Sequence, residues 1–161
     1  FISLPNKGGL QMTPFQTSIN EVKPVSSLFY RQQHHNFTAT TTLKYKPKAE
    51  NELAGITCYQ SERFHYVFGI TKKDKDTFLV LAKTDRGQTT ILTSTKLNIN
   101  TPISLQVEAN GNNYRFNYAV NGGEYTNLGG TVSGDILSTN VAGGFTGSLI
   151  GLYATAGNDI R

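Results

Sequence analysis

Tryptophan is absent from the 161 residues, and cysteine and methionine occur once each. A single cysteine excludes an intrachain disulfide framework, so the fold has to stand on an apolar core. Cys58 lies in the apolar run from Leu53 to Tyr59, which reads as a buried, inert thiol that says nothing of redox compartment. Long apolar stretches are missing too: none reaches the roughly 20 residues of a membrane-spanning helix. No basic-then-apolar leader opens the chain, which begins at Phe1, as expected of a processed or excised fragment. Acids are scarce, eleven against fifteen Lys and Arg, for a net charge of +4. The basic excess is nevertheless dispersed, and its densest run, Lys72-Lys73-Asp74-Lys75-Asp76, is broken by acids and reads as a solvated hairpin turn. Neither nucleic acid nor membrane is expected as a partner.

What is present is period two. A chain of this length is expected to form one domain over residues 1–161, burying roughly 70% of the surface its unfolded form exposes. From His35 to Tyr45 the positions Phe37, Ala39, Thr41, Leu43 and Tyr45 alternate with Asn and Thr, the pattern of a half-buried strand. Further strands are predicted at Leu53 to Tyr59, Phe64 to Thr71, Thr77 to Lys83 and Thr89 to Thr95, the last pair flanking the turn Asp85-Arg86-Gly87. A strand after Pro102 turns Ile103, Leu105, Val107 and Ala109 inward, Asn110-Gly111 supplies a tight hairpin, and the return strand presents Tyr114, Phe116, Tyr118 and Val120. Asn121-Gly122-Gly123 leads to a strand at Glu124 to Leu128, and the last strand follows a glycine-rich loop, at Ser148 to Thr155. Helical period appears nowhere, so the fold class is all-β, an antiparallel sandwich or jelly roll, with a barrel left open because periodicity alone does not separate one closed sheet from two packed ones. Phe37, Leu43, Ile56, Phe68, Leu105, Val107, Phe116 and Tyr118 are the expected core.

A catalytic constellation is not legible. Asp74, Asp76, Asp85, Glu124 and Asp135 fall in predicted turns or loops, and no two carboxylates share a strand face, whereas glycoside hydrolysis usually needs a positioned pair. Glu108 alone sits well inside a strand, on its polar face, and reads as solvated. No nucleophile elbow is present. His34 and His35 point to opposite faces of an extended strand and cannot both hold one metal, so a structural or interfacial role is assigned to them. No metal site is expected, with Asp159 beside Asn158 a weak candidate for a structural calcium, and no other cofactor.

The ordered set Arg31-Gln32-Gln33-His34-His35-Asn36-Phe37, Leu53-Ala54-Gly55-Ile56-Thr57-Cys58-Tyr59-Gln60, Phe64-His65-Tyr66, Ala142-Gly143-Gly144-Phe145-Thr146-Gly147 and Ile150-Gly151-Leu152-Tyr153-Ala154 resembles the C-terminal concanavalin A-like domain of family 43 glycoside hydrolases. The resemblance implies a jelly-roll sandwich of two antiparallel sheets that is an accessory domain, not an enzyme by itself. It implies a longer parent with an N-terminal five-bladed propeller, which holds the catalytic carboxylates, inverts the anomeric centre and acts as a β-xylosidase or α-L-arabinofuranosidase on xylan or arabinoxylan oligosaccharides. The sandwich is expected to pack on that propeller and to meet the oligosaccharide only indirectly, through Phe145 at the rim of the substrate pocket. Gly143, Gly144 and Gly147 would free the backbone to project that ring. Arg31, Gln32, Gln33 and His34 are assigned to scaffold or interface, as polar groups entering a strand.

The largely bacterial family favours a periplasmic or secreted location over a cytoplasmic one. Complete relatives carry an opening strand before the equivalent of Phe1 and a closing one after that of Arg161, so the family's outermost strands are expected to be missing here. A second reading is an independent carbohydrate-binding, lectin-like module. On that reading Arg115, Asn117, Gln106 and Tyr59 share a concave sheet face and supply hydrogen bonds, although the absence of tryptophan counts against it.

Overall fold

The computed structural model describes residues 2–3, 11–12, 26–31, 36–43, 47, 52–98, 102–137 and 149–155. Their strands are β1 (Ile2–Ser3), β2 (Gln11–Met12), β3 (Ser26–Arg31), β4 (Asn36–Leu43), β5 (Leu53–Ser61), β6 (Phe64–Lys73), β7 (Asp76–Asp85), β8 (Gln88–Leu97), β9 (Ile103–Asn110), β10 (Asn113–Val120), β11 (Thr126–Ser133) and β12 (Leu149–Thr155). A single 3-10 turn, Asp135–Leu137, is the only helical element among the described residues. β1 and β2 pair with each other, and the rest form a four-stranded sheet, β11-β10-β9-β4, and a six-stranded sheet, β3-β12-β5-β6-β7-β8. Every registered pairing is antiparallel. This is the all-β antiparallel sandwich read from the alternation, in the two-sheet, concanavalin A-like form that the resemblance implied.

The core lies where the two sheets face each other. Ile103, Leu105, Val107 and Ala109 of β9 point inward, as read from the sequence, and meet Ile56, Tyr66, Phe68, Ile70, Leu79 and Leu81 from the six-stranded sheet. Phe116 of β10 is fully buried and stands edge-on to Phe68 at 5.3 Å between ring centroids. Such an aromatic pair adds about 0.5–1.5 kcal/mol beyond its buried area. The Tyr66 hydroxyl donates to the Ser133 carbonyl at 2.6 Å and so ties the two sheets together. Phe37, Leu43 and Tyr118 are partly buried and pack against this cluster.

The structure corrects several local readings. Val120 has the inward parity of Tyr118 and pairs with buried Ile103, but it lies beyond the last β10–β11 pair, Tyr118↔Thr126, and is 42% exposed. The β9–β10 turn is Gly111-Asn112, one residue later than expected, with positive φ at Gly111 only. The glycines Gly129 and Gly130 do not form a loop after a strand at Glu124 to Leu128. They sit inside β11 as a bulge, with φ of 88° and 71°, between the pairs Phe116↔Leu128 and Arg115↔Thr131. The Asn127 side-chain carbonyl accepts from Gly130 N at 2.8 Å and holds the bulge. Finally, Arg31 ends strand β3, which the sequence did not reveal, instead of leading into β4.

Candidate functional site

Strand register decides which end of the sandwich carries the flagged segments. Leu149, the first residue of β12, pairs with Arg31, the last residue of β3, and with Tyr59 near the end of β5. The row continues across the six-stranded sheet as Tyr59↔His65, His65↔Thr84 and Thr84↔Thr89. In the other sheet, the same end carries Asn36↔Asn110, Asn110↔Asn113 and Asn113↔Ser133. One pole therefore gathers the turns at Glu62–Arg63, Arg86–Gly87 and Gly111–Asn112. It also holds the roots of two segments, 32–35 after Arg31 and 138–148 before Leu149.

Those segments contain most of the residues singled out from the sequence. Gln32, Gln33 and His34 lie in the first, and Gly143, Gly144, Phe145 and Gly147 in the second; all are outside the described residues, as is Asp159. The structure brings together the strand ends from which they depart, and this juxtaposition was not readable from motifs separated by most of the chain.

The described part of the pole is firmly tied. Gly87 N donates to the Arg63 carbonyl at 3.0 Å, and the Arg63 guanidinium reaches the Arg86 carbonyl at 3.4 Å, so the two hairpin turns of the six-stranded sheet brace each other. Arg86 donates to the Asp85 carboxylate at 2.8 Å in an exposed pair. His65 is fully buried, and its Nδ1 lies 3.1 Å from the Ser61 carbonyl. A carbonyl only accepts, so Nδ1 carries the proton of that bond. Tyr59 stacks on the His65 ring at 5.8 Å and 28°. Burial, and secondarily the Glu62 charge, push the Tyr59 hydroxyl above its ordinary pKa. Cys58, one residue earlier, faces the core, and burial pushes its thiol up to about 12.

Among the described residues, no three His, Cys, Asp or Glu side chains gather in an arrangement that could hold a metal ion. Glu108, the one acid read as lying well inside a strand, has Arg115 and Thr38 as its cross-strand neighbours, neither of them a carboxylate. Gln106, Arg115 and Asn117 do share the outer face of the four-stranded sheet, as the second reading required. Tyr59 does not join them. It packs with Leu53, Val67 and Tyr153 on the outer face of the other sheet, at the opposite side of the sandwich.

Residues 1–160 match the family described as the beta xylosidase C-terminal concanavalin A-like domain. The chain is 29% identical over 156 residues to a non-reducing end alpha-L-arabinofuranosidase of Bacteroides ovatus, a match spanning 96% of this chain and 29% of the enzyme. It is also 29% identical over 158 residues to a xylosidase/arabinosidase of Butyrivibrio fibrisolvens, spanning 94% of this chain and 29% of that one. Among solved structures it is similar to a GH43_12 protein retrieved from a capybara gut metagenome, with 44% identity and a TM-score of 0.88 over 96% of this chain and 30% of the other. The chain thus spans about three-tenths of the length of the relatives it matches. It belongs to the family of beta xylosidase C-terminal concanavalin A-like domains, the C-terminal domains of GH43 glycoside hydrolases.

Proposed function

We propose that this chain is a non-catalytic accessory domain whose parent is a GH43 glycoside hydrolase acting on xylan or arabinoxylan oligosaccharides. In this reading it packs on an N-terminal catalytic propeller and lends the loop containing Phe145 to the substrate pocket. The observation that carries the proposal is the Arg31↔Leu149 pairing. It roots the 32–35 and 138–148 segments side by side at one pole, so that a single approach of the catalytic domain meets both. The sugar-cleaving names of the relatives, and the roughly seven-tenths of their length that lies beyond this domain, support a parent of the same chemistry. Glu108, the one acid read as lying well inside a strand, has no acidic neighbour in register, which supports a non-catalytic role for the isolated domain.

The test is Phe145→Ala in the full-length enzyme. A pocket ring lost from the rim lowers kcat/KM on aryl xylosides or arabinofuranosides while the melting temperature holds. A core ring lost from the sandwich instead costs about 3–5 kcal/mol of stability, with activity per folded molecule unchanged, and that result overturns the pocket role.

A further inference from the structure

The outer face of the four-stranded sheet is polar, and part of it is built with more order than a solvated surface requires. Asn117 of β10 is only 4% exposed on this face. Its amide nitrogen donates to Gln106 at 3.0 Å and to the Glu108 carboxylate, while its carbonyl accepts from Asn127 at 3.0 Å. A chain of amides thus links β9, β10 and β11 and fixes one oxygen of Glu108. Among the described residues the other carboxylate oxygen has no hydrogen-bond partner. Arg115 lies directly across from Glu108 in register yet makes no ion pair with it, and its guanidinium reaches the Thr131 hydroxyl in a long contact of 3.5 Å.

Glu108 and Arg115 line an open groove of about 650 Å³, bounded also by Asn36, Thr38, Asn113 and Thr131. Its walls offer an oriented carboxylate, a guanidinium, amides and hydroxyls, which together both donate and accept. An anion meets Glu108 and a cation meets Arg115, so neither sign of charge is favoured. An apolar ligand would strip water from all of these groups without replacing their bonds. A neutral polyhydroxylated chain satisfies them, since paired hydroxyls can donate to the carboxylate and accept from the guanidinium. The groove is open rather than closed around an end, which suits the interior of a chain.

We infer that this groove is a second saccharide-binding site, for neutral polysaccharide chains, separate from any pocket to which Phe145 contributes. The inference does not depend on the Phe145 reading. Glu108 accepts, Arg115 donates, and Asn117 is a positioning residue that sets the carboxylate from behind.

Electrophoresis of the full-length enzyme through gels with and without soluble arabinoxylan tests it, alongside hydrolysis of an aryl glycoside too small to reach the groove. The double variant Glu108→Gln/Arg115→Ala keeps an acceptor for Asn117 and should weaken retardation about tenfold or more, the loss expected for hydrogen bonds to charged groups. Aryl glycoside hydrolysis and the melting temperature should stay as in the wild type. A second variant, Thr38→Arg, places a long cation opposite Glu108 and fills the groove without touching the amide chain; it should abolish the same retardation. Wild-type enzyme that is not retarded overturns the inference. So does retardation that persists in both folded variants, which would assign polymer binding to the catalytic pocket, and so does a loss of aryl glycoside hydrolysis in parallel with retardation.

Discussion

The two sheets of this sandwich treat their outer faces in opposite ways. In β9 of the four-stranded sheet burial alternates residue by residue: Ile103, Leu105, Val107 and Ala109 are buried, with open or half-open residues between them. In the central strands β5 and β6 of the six-stranded sheet both faces are buried. Six consecutive residues of β5, Leu53 to Cys58, are covered, and eight of β6, Phe64 to Thr71. Behind the main core, Leu53, Val67, Val80, Ala82 and Tyr153 form a second apolar cluster of their own. Polar groups buried on that side are bonded locally, as where the Thr57 hydroxyl donates to the Tyr66 carbonyl at 2.8 Å. A face that stays wet can be given to a ligand, and a face that is buried on both sides can only be given to structure.

The sharpest way to break this contrast is at Gly55, where β5 and β6 face each other as Gly55↔Gly69. A Cβ on Gly55 would run into the Phe68 carbonyl and the Gly69 Cα, both backbone, so no side chain can swing aside to make room. Gly55→Ala is expected to cost at least the roughly 3 kcal/mol at the upper end of ordinary overpacking, read as a shift in the urea midpoint. Here glycine serves close approach of two strands, not a positive φ. A substitution tolerated within 0.5 kcal/mol of wild type, the usual range for surface changes, would mean that β5 and β6 are not packed this closely.

A matched pair of truncations measures the difference between the outer faces directly. Val67, on the outer face of the six-stranded sheet, is 1% exposed, and Thr40, on the outer face of the four-stranded sheet, is exposed. Val67→Ala removes two buried methyl groups and should cost about 1.5 kcal/mol or more, whereas Thr40→Ala should stay within about 0.5 kcal/mol. Equal costs would erase the distinction between the faces.

The same distinction explains what the sequence could and could not show. Alternation from Phe37 to Leu43 and from Ile103 to Ala109 gave correct faces because one side of each strand is buried and the other is not. In Leu53 to Tyr59 the apolar run announced a strand but not its faces, as expected where both are covered. Val120 was misplaced because parity gives a face but not its cover, and the β11 pairing stops at Tyr118. The Gly129-Gly130 bulge was read as a loop, since a pair of glycines signals a break in either case. Strand β3 was missed because Ser26 to Arg31 has neither alternation nor a turn signal at its start. The pole depends on pairing Arg31 with Leu149, a contact between distant parts of the chain that no local pattern encodes. The Asn117 network was half visible: Arg115, Asn117 and Gln106 were placed on one face, but nothing in the sequence showed that Asn117 is buried there or that it holds Glu108.

The smallest effect at neutral pH concerns the inner face, and it grows only in alkali. Burial raises the Cys58 thiol from 9.0 to about 12. Tyr66 beside it in register is raised from 10.0 to about 12, chiefly by burial and then by the thiol and nearby acids. A folded-state pKa above the unfolded one means that the native protein keeps a proton the unfolded chain gives up. Below pH 9.0 both states hold the Cys58 proton and its titration leaves stability unchanged, but between 9.0 and about 12 the native state binds more protons and stability falls as pH rises. Cys58→Ala removes that dependence while leaving the contribution of Tyr66, so its urea midpoint should decline less steeply than wild type above pH 9 and in parallel with it below. Native protein at pH 8 should also leave the thiol unreacted with a disulfide reagent until it unfolds, because the thiolate is the nucleophile and both burial and the raised pKa withhold it. Parallel midpoint curves throughout, or rapid labelling of the native thiol, would mean that Cys58 is not buried between the sheets.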